Sequence, residues 1–358
     1  MISIIQNDEQ LEFLSQLKNL KFSITADSCR VTITSFLDAV LYNETLYPYN
    51  GEVEIVDMPS IFEADLQKHP ILAALYHVHI EEPDGTEEEF SMRIAKGTAD
   101  TGPFADFVNT NFLTMPEVPV RVPKDGKVTL SLWEIGKNTL PEGLIRAYYT
   151  DKTTADFPLP ETTMHTSAST DDTPAAYATY EMNMDDYQAE GKELYRIVVQ
   201  ADARSIEYLI DSCHVEYSLE MRYHNSFGAW EKFWCYGKVE SEPQFTRVGS
   251  TRLGEYSNIV TKEVRFWNAD TGILVAGEEE RTLEMFRSNR VEVATINKNR
   301  EVVFAPIAIT EQECKYDNLD DSLPRYTFKF RLCAKNHNIM RPAVHPQIFT
   351  ETYTETYE

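Results

Sequence analysis

Short alternations of apolar and polar residues run through most of the chain, and this period of two predicts strands. Val31 and Ile33 alternate with Thr32 and Thr34, and Val53 and Ile55 with Glu52 and Glu54, after the turn sequence Tyr47-Pro-Tyr-Asn-Gly51. Leu75–Ile80 and Phe90–Ile94 flank Pro83-Asp84-Gly85 and read as a hairpin. Val128, Leu130 and Leu132 alternate with Thr129 and Ser131. The longest run places Cys213, Val215, Tyr217, Leu219, Met221 and Tyr223 between polar neighbours from His214 to Arg222. Asn225-Ser-Phe-Gly-Ala229 then turns the chain back into Lys232–Val239. Further strands are expected at Val264–Trp267 before the turn Asp270-Thr-Gly272, at Val291–Ile296, at Val302–Ile309 and at Tyr326–Leu332. Two stretches read as helix: residues 8–20, where Leu11, Leu14, Leu17 and Leu20 stand three apart behind a cap at Asp8, and Pro59–Gln67.

Many short strands at roughly ten-residue spacing predict a mainly β protein, with two or three β-sandwich or barrel modules and few short helices. A length of 358 residues exceeds one compact core. The expected division is an N-terminal β module (1–114), a proline-bearing linker (115–123), a middle β module (124–212), a C-terminal β module (213–340) and a polar tail (341–358). The middle module is expected to carry a long Thr/Ser/Asp-rich loop over 158–187, where little periodicity is visible.

Charge narrows the classes of partner. Thirty-three basic residues against 58 acidic ones give −25, so the chain as a whole repels phosphate backbones and anionic lipid surfaces. No nucleic acid or membrane partner is expected, and the acidity either keeps the chain soluble or steers a basic partner. Five cysteines, at 29, 213, 235, 314 and 333, form no close pair, which argues against a disulfide framework or a zinc site. The start of the chain does not read as a signal peptide.

Phosphate-cradling, nucleophile-elbow and zinc-protease motifs are absent from the sequence, and no catalytic residue, metal or cofactor is expected. His77 and His79 share a strand face and would need a third ligand such as His69 to hold a metal, so a polar face is the expectation. Asp317-Asn-Leu-Asp-Asp321 lacks calcium-loop spacing and reads as a solvated loop. The candidate interaction residues are Tyr223, Phe227, Trp230, Phe233, Trp234 and Tyr236, which crowd one hairpin. They serve a core or subunit contact, or else a sugar-stacking platform.

Several islands resemble β-rich, tail-associated virion structural proteins of gut Bacteroidota phages and prophages. They are Leu46-Tyr-Pro-Tyr-Asn-Gly-Glu-Val-Glu-Ile55, Asn111-Phe-Leu-Thr114, Val120-Arg-Val-Pro-Lys-Asp-Gly126, Arg222-Tyr-His-Asn-Ser-Phe-Gly-Ala-Trp-Glu231 and Tyr326-Thr-Phe-Lys-Phe-Arg-Leu332. The resemblance implies a non-enzymatic distal-tail or tail-tip component. Such a protein would be made in the bacterial cytoplasm, located in the virion, and partnered by copies of itself and by other tail proteins. The alternative is a carbohydrate-binding adhesin that presents glycan to the hairpin around Trp230 and Trp234.

Overall fold

The computed structural model describes the chain except residues 7–10, 70, 98–100, 116–117, 136–138, 163, 168–174, 212–216, 253–254, 276, 298, 315–322, 334–340 and 343–358. The expected calcium-like loop at 317–321 and nearly all of the polar tail lie outside the described residues.

The first module is a sandwich. One sheet holds β1 (Ser3–Gln6), β3 (Leu20–Ser23) and β6 (Glu52–Ile55). The other holds β2 (Glu12–Phe13), β4 (Cys29–Thr34), β5 (Val40–Leu46), β7 (Ala73–Glu81) and β8 (Glu87–Ala95). Strict alternation along β4 and β7 buries Val31, Ile33, Tyr76, Val78 and Ile80, while helix α1 (Met58–Lys68) adds Met58, Phe62 and Leu66 to the same core. The turn before β6 sets Asn50 and Gly51 at φ 53° and 82°, the left-handed pair that a tight hairpin turn requires. Helix α2 (Phe104–Thr110) closes the module.

The 8–20 helix is not formed. Glu12 and Phe13 pair in parallel with Ile94 and Ala95, a single 3₁₀ turn follows at Leu14–Gln16, and the chain re-enters strand at Leu20. Leu11, Leu14, Leu17 and Leu20 are all buried, so their spacing marked the core correctly. A few helical turns cannot compete with the pairing and packing that Phe13 finds elsewhere. Asp8 lies outside the described residues.

The second module is also a sandwich. Its five-stranded sheet holds β9 (Val120–Pro123), β11 (Gly143–Tyr149), β12 (Thr154–Pro158), β15 (Leu194–Ala201) and β16 (Arg204–Asp211). The facing sheet holds β10 (Lys127–Ile135), β13 (Met164–Ser167) and β14 (Ala175–Asn183). Val120–Pro123, expected within the linker, pairs in parallel with β16. The expected loop over 158–187 contains β14, which pairs with the whole of β10 from Lys127↔Asn183 to Ile135↔Ala175. Ala178, Tyr180 and Met182 fill the core between the sheets.

The third module is one eight-stranded sheet built from β17 (Leu219–His224), β18 (Trp230–Cys235), β19 (Val239–Arg252), β20 (Glu255–Asp270), β21 (Val291–Ile296), β22 (Val302–Glu313), β23 (Thr327–Leu332) and β24 (Arg341–Pro342). Helix α3 (Glu278–Arg287) places Met285 in the core of this module, with Leu283 and Phe286 half-buried against it. The molecule is therefore mainly β, built of packed open sheets with short helices, as the alternation predicts.

Candidate functional site: an aromatic hairpin, a cleft and a projecting ribbon

The β17–β18 hairpin carries the six aromatic candidates, and the structure distributes them rather than gathering them on one face. Tyr223 and Phe233 enter the core of the third module, Trp234 the core of the second, and Phe227 a separate apolar cluster where all three modules meet. That cluster stacks Phe227 on Phe107 at 4.9 Å, sets Phe13 edge-on to both, and includes Trp133 and Tyr177. Tyr236 is half-buried beneath the Arg121 guanidinium, 4.1 Å above its ring. Trp230 is half-buried, with the guanidinium carbons of Arg222 and Arg290 4.5 and 5.1 Å from its ring. Four of the six rings are thus buried, and the two that are half-buried, Trp230 and Tyr236, have guanidinium groups against them.

Polar contacts pin the same hairpin. The Asn225 side chain accepts from the amides of Phe227 and Ala229 and donates to the Leu113 carbonyl at 2.7 Å. Thr129 donates to the Trp230 carbonyl at 2.8 Å. Arg281, buried on α3, donates to Glu231 at 2.7 Å, to Thr114 at 3.0 Å and to the carbonyls of Met115 and Val118. Gly228 has φ 78°, and a Cβ there would stand 2.9 Å from the Lys96 carbonyl oxygen, so the turn admits a residue without a side chain. The hairpin is thus the internal joint of the molecule.

Beside this joint lies a cleft of about 690 Å³ between the first and third modules. Its walls are α1, Lys96–Gly97, the 224–228 turn and the end of α3 with the residues that follow. Glu284 sits at its base. Burial, then the nearby Glu231 carboxylate, raises its pKa. One carboxylate oxygen accepts from the Ser226 amide at 2.8 Å, and the Tyr223 hydroxyl lies 3.3 Å from the other. His224 on the cleft wall is pushed down to about 4 by burial and by Lys96, Arg290 and Arg222.

Of the third feature, the sequence predicts only the strand at Val264–Trp267, within β20. Strands β19 and β20 pair along their whole length, from Val239↔Ala269 to Arg252↔Glu255. The neighbouring β23 pairs with β20 only over Trp267–Asp270. Beyond that point a two-stranded ribbon leaves the sheet, spanning about 35 Å at roughly 3.3 Å per residue. Most of Ser241–Val248 is exposed, including Phe245 at 48% and Val248 at 56%. β19 is the edge strand, so one side of its backbone has no strand neighbour among the described residues.

The histidines do not converge. His77 shares a hydrogen bond with Ser91 at 3.0 Å, and the His69 ring lies 3.6 Å from Asp65. Among the described residues no group of three His, Cys, Asp or Glu side chains could hold a metal ion. Nor is any helix long and apolar enough to cross a membrane among those residues.

No protein-family model and no curated protein sequence matches the chain. Among solved structures, it is similar to the Bacteroides ovatus mixed-linkage glucan utilization locus SGBP-B, in complex with a mixed-linkage heptasaccharide. Identity is 10%, coverage 90% of this chain and 75% of that one, and the TM-score 0.16. It is also similar to a 1.5-MDa bacterial ice-binding adhesin at 9% identity, covering 86% of this chain and 95% of that one, with a TM-score of 0.19. Neither score reaches the level of a shared fold.

Proposed function

We propose that this protein is a non-enzymatic structural component of a phage or prophage tail, acting at the distal tail or tail tip by joining copies of itself to other tail proteins. The observation that carries the assembly half of this reading is the β19–β20 ribbon. A two-stranded ribbon on its own is marginal in water, and an exposed edge strand is a template for pairing with another chain. This one carries exposed Phe245 and Val248 along β19, which among the described residues has no strand neighbour on its outer side. Such an arm gains stability when a neighbouring subunit supplies the missing strand or face. The placement in a tail comes from the sequence islands that resemble tail-associated proteins.

Co-purification with the products of adjacent genes tests the proposal. A Phe245→Asp, Val248→Asp double variant changes only exposed positions and should fold normally. It should lose tail-protein partners that the wild type retains. If the wild type captures none of the flanking tube, tape-measure or receptor-binding products, the tail assignment fails.

A further inference from the structure

The free edge of β19 differs in charge from the chain that carries it. Residues 243–252 hold two arginines, Arg247 and Arg252, and no acidic residue, in a protein of net charge −25. The facing stretch of β20, 255–266, is balanced, with Glu255 and Glu263 against Lys262 and Arg265. Pro243 through Val248 are all exposed, so neither face of β19 is covered there. The guanidinium carbon of Arg247 lies 5.5 Å from the centre of the Phe245 ring. The two side chains, two residues apart, therefore set an aromatic and a cation side by side on one face of the strand. Among the described residues no carboxylate pairs with Arg247.

A strand that completes this edge must match an aromatic and a cation on one face. The chain contains such a sequence. Residues 343–358 follow β24 and carry three glutamates and neither lysine nor arginine. From Phe349 the order is Phe-Thr-Glu-Thr-Tyr-Thr-Glu-Thr-Tyr357, so aromatic or acidic side chains alternate strictly with threonine. Threonine and tyrosine both favour strands. With Tyr353 opposite Phe245 in an antiparallel pair, Glu351 stands opposite Arg247 and Thr352 opposite Thr246. Aromatic, opposite-charge and threonine pairs are the cross-strand combinations that stabilise a ladder. The four-residue repeat reproduces the match with Tyr357 and Glu355 in place of Tyr353 and Glu351. A slip of one residue loses it, because threonine then faces both Phe245 and Arg247. On the reading of the ribbon as an assembly arm, we propose that its partner is segment 349–357 of a second copy of this chain, added as an antiparallel strand to the outer edge of β19.

Two charge variants of the full chain test this by sedimentation velocity over a concentration series: Arg247→Glu, and the double variant Glu351→Lys, Glu355→Lys. Each should self-associate about tenfold more weakly than wild type, because like charges then face each other across the ladder. An equimolar mixture of the two should recover wild-type association, since each ribbon then meets an oppositely charged segment on the other chain. A segment paired with its own ribbon would gain nothing from mixing. Wild-type association by either variant alone, or a mixture no better than its components, overturns the proposal. The arm is tested separately by Phe245→Asp, Val248→Asp. Loss of association in that variant, with wild-type association in both charge variants, keeps the arm and rejects the segment as its partner. A wild type that is monomeric at every concentration rejects the arm and the proposal together.

Discussion

Trp234 shows how a residue type points two ways. Tryptophan in a β hairpin suits a sugar platform, yet here 4% of its surface is exposed and it packs in the core of the second module. Trp234→Ala should therefore cost about 3–5 kcal/mol of stability, measured by denaturant unfolding. A glycan-binding residue on the surface would change stability by much less. Gly228 makes a second test, because its left-handed φ and its approach to Lys96 both exclude a side chain. Gly228→Ala should destabilise by roughly 1–3 kcal/mol. The ionisable pair beside the cleft gives opposite pH signatures. Glu284 has a folded pKa above its ordinary 4.5, so the fold binds its proton more tightly and stability falls as pH rises through that window. His224 is lowered from 6.5 to about 4, so stability falls as pH drops between those values. Glu284→Gln should flatten the first limb and His224→Gln the second, read as melting temperature against pH. The crowding of aromatics at this hairpin was legible in the sequence. Which module each ring would enter was not, because alternation assigns a face of a strand and not the neighbour across it.

At the level of elements, period-two patterning located strands wherever one face is buried and the other wet. β4, β6, β7, β8, β10, β21 and β23 all lie where it placed them. It failed where burial does not follow that rule. On β14 the buried positions 176 and 178 are alanines and Tyr177 between them is buried as well, so no alternation shows until Tyr180 and Met182. Helix α3 buries Glu278, Arg281, Thr282 and Glu284 along with Met285, so its inward face is charged and shows no apolar stripe. Its three glutamates in the first turn favour the helix through its dipole, a signal independent of hydrophobicity. The outer stretch of β19 went unread for the opposite reason. Most of Ser241–Val248 is exposed, and a strand without a buried face has no alternation to show.

Across the whole molecule, three β modules are locked at one joint, while the β19–β20 ribbon runs on past its neighbouring strand β23. Phe13, Phe107, Trp133 and Phe227 close the joint with apolar area, and Arg281 closes it with hydrogen bonds to Thr114, Met115, Val118 and Glu231. Such a body suits a structural part, since its modules cannot reorient without exposing this cluster. In the proposed reading, the arm is the part that acts on other chains. Sedimentation velocity over a concentration series therefore tests the account most directly. Wild type should shift from monomer toward a defined oligomer as concentration rises, and the Phe245→Asp, Val248→Asp variant should remain monomeric with an unchanged melting temperature. A wild type that sediments as a monomer at every concentration, indistinguishable from that variant, would contradict it.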